Sequence, residues 1–375
     1  MIDALMEEAS RTVKLTDWGD DRFHEPLNRL IACFKEKYGD DPRMNFYFRN
    51  TVKSILINRL YIRDNFKTYP SILETPIKRP LFIVGLARTG STLLHRLFAQ
   101  DTACRVPRYW EMNCPFYGSI LGLNHETSSI SAIKLKVREI YAQYPDLFHI
   151  HEIKVDEPEE CNVILRHTFC SMSIASEWHL PEYARRLVTH DMTDAYAYYR
   201  NLLQLLMWHK NGNFLALKCP SHLLNLKAIL NVFPDANIVW LHRNPGKSIA
   251  SYLNLLSVFW GNQAAYREFI EFIFDYSVQS VETGMDLRRD IPPSRFLDIS
   301  YKELVNNPAG TMMNIYNHFG YTIGEQMVND VQHWVTQNPR HKHGVHEYSL
   351  EKFGLTDQDV ERRFSRYAET YHAFL

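Results

Sequence analysis

Long apolar runs are missing from this chain of 375 residues. No stretch approaches the roughly 18 consecutive apolar residues of a membrane-spanning helix, so we expect no transmembrane span. The first residues are acidic and lack the pattern of a signal peptide. Together these two absences favour a cytoplasmic protein.

An excess of one charge is missing as well. The 42 Lys and Arg residues are matched by 43 Asp and Glu residues, which gives a net charge of −1. Proteins that bind nucleic acid usually carry a basic excess or a basic face. We therefore expect no nucleic-acid partner for this chain.

Cysteine pairs, metal motifs and repeats are also missing. The six cysteines form no C-x-x-C pair, which is typical of reduced, buried thiols in a cytosolic protein. None of the 17 histidines falls in an H-x₃-H motif with supporting ligands, so no metal site is expected. The length fits one elaborated α/β domain or two domains.

One stretch around residue 85 carries the strongest local signal. Four apolar residues at 81–84 follow a proline and predict a short buried strand, which Gly85 ends. A tight turn leads to Ser91 and Thr92, which open a helix with an apolar face at Leu93, Leu94, Leu97 and Phe98. Unpaired backbone N–H groups and the helix dipole make such a turn an anion site.

The spacing of this turn nearly matches the nucleotide P-loop. Its pattern is G-x-x-x-x-G-S-T, whereas the nucleotide motif has a lysine where Ser91 stands. A cation is present instead within the turn, at Arg88. The pattern therefore favours a phosphate-like group over a nucleoside triphosphate, and an ordinary strand–turn–helix without a ligand is the alternative.

Strands and helices alternate along the rest of the chain. Further strands are predicted at 214–217, 237–241 and 295–299. Helices are predicted at 25–38, 44–66, 91–100, 130–144, 156–175, 193–209, 221–233 (capped by Ser221), 245–256 and 356–374. This order is typical of an α/β fold with a parallel sheet flanked by helices, extended by helices at both ends. We interpret residues 1–78 as a helical extension packed on an α/β domain at 79–375.

Charged and aromatic side chains follow four of the predicted strands. Arg88, Lys218, Arg243 and Tyr301 each come just after a strand end. Ligands of parallel sheets bind beyond the carboxyl ends of the strands, so these side chains are expected to share one site. A basic loop at 339–348 is a candidate cover for that site.

Three motifs in this order resemble the sulfotransferases that use 3′-phosphoadenosine 5′-phosphosulfate (PAPS). Residues 88–94 (RTGSTLL) resemble the 5′-phosphosulfate loop of that family, and residues 239–245 (VWLHRNP) with Ser251 resemble its 3′-phosphate motif. Residues 300–308 (SYKELVNNP) resemble its adenine-side segment. The arginine in the first loop and Lys218-Cys219-Pro220 resemble the bacterial and tyrosylprotein-type branch.

The resemblance implies a P-loop-like fold and transfer of a sulfuryl group from PAPS to a hydroxyl or amine of a small-molecule acceptor. It implies PAP, the 3′,5′-bisphosphate, as product and no metal. It assigns the 5′-phosphosulfate to Arg88, Thr89, Gly90, Ser91 and Thr92, the sulfuryl oxygens to Lys218, the 3′-phosphate to Arg243 and Ser251, and adenine to Tyr301. Arg88 and Lys218 would stabilise the charge that develops during transfer.

Transfer to an acceptor hydroxyl also needs a general base. Glu111 is the first candidate, because it follows the loop at about the distance seen in tyrosylprotein-type enzymes. His222 is the second, because it shares a segment with Lys218. Glu157 and Glu160 are weaker candidates, since acidic residues also favour the N-terminus of the helix predicted at 156–175.

Two other functions remain open at this point. A small-molecule or nucleotide kinase fits the loop, but the P-loop lysine and an acidic Mg²⁺ site are not evident. A non-catalytic nucleotide-binding protein of the same fold is the second alternative. The identity of the acceptor is left open, and a homo-oligomer is compatible with the sequence.

Overall fold

The computed structural model describes residues 1–116, 125–210, 212–260, 266–324, 326–339 and 349–375. The basic loop predicted at 339–348 therefore lies, apart from its first residue, outside the described residues.

Five parallel strands form the sheet of the described residues. They are β1 (Leu81–Gly85), β2 (Cys104–Arg105), β3 (Phe214–Lys218), β4 (Asn237–His242) and β5 (Phe296–Ser300). Their order across the sheet is β2-β3-β1-β4-β5, and every neighbouring pair is parallel. The predicted α/β class with a parallel sheet is confirmed. Strand β2 was not predicted, because two residues are too few to show a period.

The strand register aligns the ends of the central strands. Gly85 on β1 pairs with Leu241 on β4, and His242 on β4 pairs with Ser300 on β5. In a parallel sheet these ends face the same edge. The chain therefore leaves β1, β4 and β5 at nearly the same level, which is where the predicted site residues follow.

Helices make up most of the remaining described chain. In chain order they are α1 (Ile2–Val13), α2 (His24–Tyr38), α3 (Pro42–Thr68), α4 (Ser91–Phe98), α5 (Tyr109–Asn113), α6 (His125–Gln143), α7 (Leu147–Ile150), α8 (Asn162–Leu165), α9 (Met172–Glu177), α10 (Pro181–Thr189), α11 (Thr193–His209), α12 (Leu226–Val232), α13 (Pro245–Trp260), α14 (Tyr266–Arg288), α15 (Tyr301–Asn306), α16 (Pro308–Phe319), α17 (Met327–Gln337), α18 (Asp357–Arg363) and α19 (Ser365–Thr370). Short 3₁₀ turns lie between several of them. The helices predicted at 25–38, 44–66 and 193–209 are confirmed.

The chain divides into two compact units. The first comprises Met1–Ile77, Tyr109–Leu135 and Cys161–Asn211. The second comprises Lys78–Arg108, Lys136–Glu160 and Gly212–Leu375, and it contains the whole sheet. The division into 1–78 and 79–375 that we inferred from the sequence stays a prediction.

One hydrophobic cluster of the second unit lies under one face of the sheet. It combines side chains of β1, β3, β4 and β5 with α4, α16 and α17. Leu94, Leu97 and Phe98 of α4 are fully buried there, and Leu93 packs against them. The apolar face predicted for this helix is confirmed, and its burial holds the N-terminus of α4 against the carboxyl end of β1.

Three predicted helices are wrong in part. The helix predicted at 156–175 is divided into α8, a 3₁₀ turn and α9, and it does not begin at residue 156. Pro158 takes a bridged position against Arg108, and Glu157 and Glu160 bind cations instead of starting a helix. Ser221 lies in a 3₁₀ turn, and α12 starts only at Leu226. The helix predicted at 356–374 is divided into α18, α19 and a 3₁₀ turn, with Phe364 non-helical between the first two.

Replacing Gly85 with alanine tests the close contact between β1 and β4. Gly85 has a φ of +141°, and an added Cβ would lie 2.5 Å from the carbonyl oxygen of Leu241. We expect Gly85→Ala to lower the free energy of unfolding by about 3 kcal/mol or more, from strain plus overpacking. Urea unfolding provides the measurement.

Gly320→Ala is the matched control for this variant. Gly320 has a φ of +63°, but no atom lies within 4 Å of an added Cβ. Only backbone strain applies there, with an expected cost of about 1 kcal/mol. Equal costs for the two variants would contradict a specific contact at Gly85.

Candidate active site

The turn between β1 and α4 has the backbone of an anion-binding loop. Arg88 has a φ of +68° and Gly90 a φ of +88°, so the chain twice enters the left-handed region within the turn. The Thr89 hydroxyl donates to the carbonyl of Leu86 at 2.8 Å and closes the turn from within. The first N–H groups of α4 lie beyond the reach of intrahelical acceptors, so they can receive an anion.

Arg88 links this loop to the start of α13. Its Nε donates to the Ser251 hydroxyl at 3.2 Å, and its Nη2 lies 3.4 Å from the carbonyl of Ile150. Its own carbonyl accepts from Nη1 of Arg243 at 2.7 Å. The structure therefore brings together Arg88, Ser251 and Arg243, although they are distant in the sequence.

Tyr301 joins the same group from the end of β5. The guanidinium carbon of Arg243 lies 4.3 Å from the centroid of the Tyr301 ring, a cation–π distance. The ring also lies close to Gly90, where an added Cβ would be 3.0 Å from it. Tyr301 thus packs against both the loop and Arg243.

Lys218 ends β3 with a fully buried side chain. Its Nζ lies 3.4 Å from the Thr92 hydroxyl, 3.1 Å from Oε1 of Glu160 and 3.7 Å from Oε1 of Glu159. Burial by itself lowers the pKa of Lys218, but the Glu160 and Glu159 carboxylates more than offset burial and raise this pKa. Lys218 is therefore a permanent cation next to the first turn of α4.

The two carboxylates on Lys218 have different surroundings. Glu159 is buried, and it accepts from His151 at 2.9 Å and from the Glu160 N–H at 2.8 Å. Burial by itself raises the pKa of Glu159, but His151 and Lys218 reverse that effect and hold the pKa well below its usual value. The Glu160 side chain is 30% exposed, whereas that of Glu159 is 8% exposed.

Both glutamates belong to an irregular stretch, residues 151–160, which we call the acidic segment. Arg96 of α4 anchors it, through an ion pair from Nε to Glu157 at 2.8 Å and a bond to the Glu152 carbonyl at 3.1 Å. Sequence analysis missed Glu159. It named Glu160 only as a weaker candidate for the base, because acidic residues also favour a helix N-terminus, and no helix begins at residue 156. The signal was the D-E-P-E-E run itself, since a proline among four acids is as compatible with a cation-binding loop as with a helix start.

The two residues predicted as bases lie in different places. His222 is fully buried in the turn after β3, edge-on to Phe82. Burial, followed by Lys218 and His95, lowers the pKa of His222 to about 3. Glu111 is buried on α5, in the first unit.

The site is therefore a cluster of cations around a helix N-terminus. Arg88, Lys218 and Arg243 line it, and the loop adds backbone donors. This donor set suits an anion with several phosphate or sulfate groups. Within the described ranges, no group of three His, Cys, Asp or Glu side chains is arranged to bind a metal ion.

Fold and site together are suited to binding a phosphate or sulfate ester at the carboxyl edge of a parallel sheet. The sulfotransferase family matches residues 80–325, more than half of the chain. The chain belongs to this family, and the protein is an enzyme that transfers a sulfuryl group. The predicted resemblance is confirmed.

Relatives and solved structures agree with this assignment. The omega-hydroxy-beta-dihydromenaquinone-9 sulfotransferase Stf3 of Mycobacterium bovis is 24% identical over 313 residues, covering 80% of this chain and 78% of Stf3. The sulfotransferase STF9 of Mycobacterium avium has a TM-score of 0.86 at 25% identity, covering 98% of this chain and 96% of STF9. STF1 of Mycobacterium tuberculosis H37Rv has a TM-score of 0.79 at 28% identity, covering 98% of each chain.

Among the helices of the described residues, none combines the length and the apolar character needed to cross a bilayer.

The buried histidines of this site predict that the protein loses stability in mild acid. Burial lowers the pKa of His95 and of His222 to about 3, whereas an unfolded histidine has a pKa near 6.5. Between about pH 6 and pH 4 the unfolded state therefore binds protons that the folded state excludes. Each such histidine lowers the free energy of unfolding by about 1.4 kcal/mol per pH unit as the pH falls. The lowered pKa of Glu159 also reduces the free energy of unfolding as the pH falls below about 4.5.

Urea unfolding of His222→Gln between pH 6 and pH 4 measures this effect. The variant is expected to show a slope that is shallower by about 1.4 kcal/mol per pH unit. His372→Gln, at an exposed position, is the control for loss of an imidazole. An unchanged slope in His222→Gln would contradict a neutral, buried His222.

Proposed function

We propose that this sulfotransferase takes its sulfuryl group from PAPS and passes it to a hydroxyl of an apolar small molecule. The observation that carries the proposal is the convergence of three cations on one loop. Arg88 and Arg243 contact each other through the Arg88 carbonyl, and Lys218 contacts Thr92 at the start of α4. PAPS carries anionic groups at both its 5′ and 3′ positions, so it requires more than one cationic subsite.

Each subsite follows from the position of its residues. The backbone N–H groups of Gly90, Ser91 and Thr92 would hold the 5′-phosphosulfate, with Thr89 keeping the turn closed. Arg243 and the Ser251 hydroxyl would take the 3′-phosphate from the start of α13. Tyr301, already packed on Arg243, would face the adenine ring. PAPS supplies the activated sulfuryl group when it is bound.

A kinase is not favoured for this chain, because the chain belongs to the sulfotransferase family. Ser91 also stands where a P-loop kinase has its lysine. A non-catalytic nucleotide-binding role does not explain a buried lysine that two carboxylates hold at the loop.

One relative indicates the class of acceptor. Stf3, by its name, acts on an omega-hydroxy menaquinone derivative. A hydroxyl on an apolar molecule is therefore the acceptor class we propose for this chain. The cytoplasmic location and a homo-oligomeric state stay predictions from the sequence.

We assign the general base to Glu160, one of the two weaker candidates from the sequence. Glu111 and His222, the first and second candidates, and Glu157 are the alternatives. Glu160 is partly exposed and bound to Lys218, whereas Glu159 is buried and held ionised by His151 and Lys218. In the transfer step the acceptor oxygen forms a bond to sulfur while the bond from sulfur to the 5′-phosphate oxygen breaks. The acceptor proton passes to Glu160, and PAP leaves with the electron pair.

This proton transfer is feasible because Lys218 has two carboxylate partners, Glu159 and Glu160. When Glu160 takes the proton, Lys218 still has the Glu159 carboxylate as counter-ion. Lys218 can then turn its charge towards the transferring sulfuryl oxygens without becoming an unpaired buried cation. Arg88 would stabilise the charge that develops on the leaving phosphate oxygen.

Calorimetric titration with PAP tests the donor assignment. We expect PAP to bind tightly and ATP weakly, with or without Mg²⁺. Arg243→Ala is expected to weaken PAP binding by about 30-fold or more, because it removes a cation from a charged pair. Lys247→Ala is the matched control, since it removes an exposed positive charge from the same helix start. Equal binding of ATP and PAP, or unchanged PAP binding in Arg243→Ala, would contradict the donor assignment.

Glu160→Gln, Glu111→Gln and His222→Gln test which residue is the general base. Initial rates are measured as PAP release from PAPS, with the most active alcohol from a screen of apolar hydroxyl compounds. Glu160→Gln is expected to lower kcat by about 100-fold or more while it leaves PAP affinity nearly unchanged. Asp156→Asn, at an exposed position of the same acidic segment, controls for the loss of one negative charge. Full activity of Glu160→Gln, with loss in Glu111→Gln or His222→Gln, would move the base to that residue.

A further inference from the structure

A buried polar network holds the strand end that carries Arg243. His242 is the last residue of β4, and its ring is fully buried. Its Nδ1 lies 2.8 Å from the Tyr367 hydroxyl, and its Nε2 lies 2.9 Å from Oδ1 of Asp298. Both ring nitrogens of the residue before Arg243 are therefore engaged.

The network extends from β4 to β5, α14 and α19. Arg288 of α14 donates from both Nη atoms to the two oxygens of Asp298, each at 2.6 Å. The ring of Tyr371 stacks on His242 with centroids 4.2 Å apart. Because His242 also pairs with Ser300 in the sheet, the network spans the strand ends that lead to Arg243 and Tyr301.

The chemistry of the network defines one arrangement of protons. Burial lowers the pKa of His242 against the opposing pull of Asp298, so the ring is neutral. A neutral ring has one donor and one acceptor. Nε2–H then donates to Asp298, whose charge Arg288 balances, and Nδ1 accepts from the Tyr367 hydroxyl. Each polar group has a partner, which is the condition for a rigid buried network.

We propose that Tyr367 of α19 is a positioning residue for the donor nucleotide. It fixes the His242 ring and, through the adjoining backbone, the direction in which Arg243 extends. Arg243 donates to the Arg88 carbonyl at 2.7 Å and packs on the Tyr301 ring, so a rotation of its backbone would move its guanidinium relative to both and away from the proposed 3′-phosphate position. This inference rests on the proposed function and names the part of the chain that preorganises its 3′-phosphate subsite.

The test compares two nucleotides on Tyr367→Phe, which removes one hydroxyl and leaves the ring. PAP and adenosine 5′-monophosphate differ only in the 3′-phosphate, so their affinities separate that subsite from the rest. We expect PAP binding to weaken by about fivefold to tenfold, while binding of adenosine 5′-monophosphate changes by less than about twofold. In an Arg243→Ala background the same substitution is expected to have no further effect on PAP, because the two residues act through one contact.

Tyr316→Phe is the matched control. Tyr316 is a buried tyrosine of the same unit, and its hydroxyl donates to Asp101 at 2.6 Å. Its loss is expected to reduce stability without changing the affinity for either nucleotide. If Tyr367→Phe does not fold, Asp298→Asn gives the same test, since it keeps the side-chain size and removes the charge that orients Nε2.

The outcomes separate this inference from the donor assignment. If the unmodified protein does not bind PAP, the donor assignment fails and this inference fails with it. If PAP binds and Arg243→Ala weakens it, but Tyr367→Phe leaves both affinities unchanged, only the positioning role is overturned. An equal loss for both nucleotides in Tyr367→Phe also overturns that role, because it indicates a general structural effect.

Discussion

The site depends on how closely β1 approaches β4 at the end of the sheet. Gly85 pairs with Leu241 there, and the carbonyl of Leu241 occupies the space that any larger residue would need. This contact fixes where the chain leaves β1 and therefore where the loop begins. With the loop in that position, the Arg88 carbonyl meets Arg243 from the next strand end. A change in the spacing of two strands would therefore separate two cationic groups.

A second constraint is electrostatic. Lys218 is buried at the end of β3, and a buried cation is costly unless it is paired. The acidic segment meets that requirement with Glu159 and Glu160, and Arg96 anchors the segment to α4 through Glu157. The charges of the site thus hold a stretch in place that has no regular secondary structure of its own.

Much of the fold could be predicted because its signals are local. The apolar runs of β1, β3, β4 and β5 are short and flanked by breakers, and parallel pairing then places Arg88, Lys218, Arg243 and Tyr301 at one edge. The prediction failed where tertiary charge pairs override local preference. The acids at 156–160 match a helix start in sequence, but their side chains bind Lys218 and Arg96 and the backbone follows. An ion pair between residues far apart in the sequence leaves no periodic pattern from which it could be predicted.

The long sequence separation of the strand partners has a consequence for synthesis. Leu81 of β1 pairs with Ala216 of β3 and with Asn237 of β4, so the central strand emerges long before either neighbour. The acidic segment also emerges before Lys218. The carboxylates of this segment remain in water until β3 has joined the sheet. Non-local pairing of this kind makes folding slow and cooperative. A nascent chain would therefore display the loop as an open, solvated turn and assemble the charged site only in a late step.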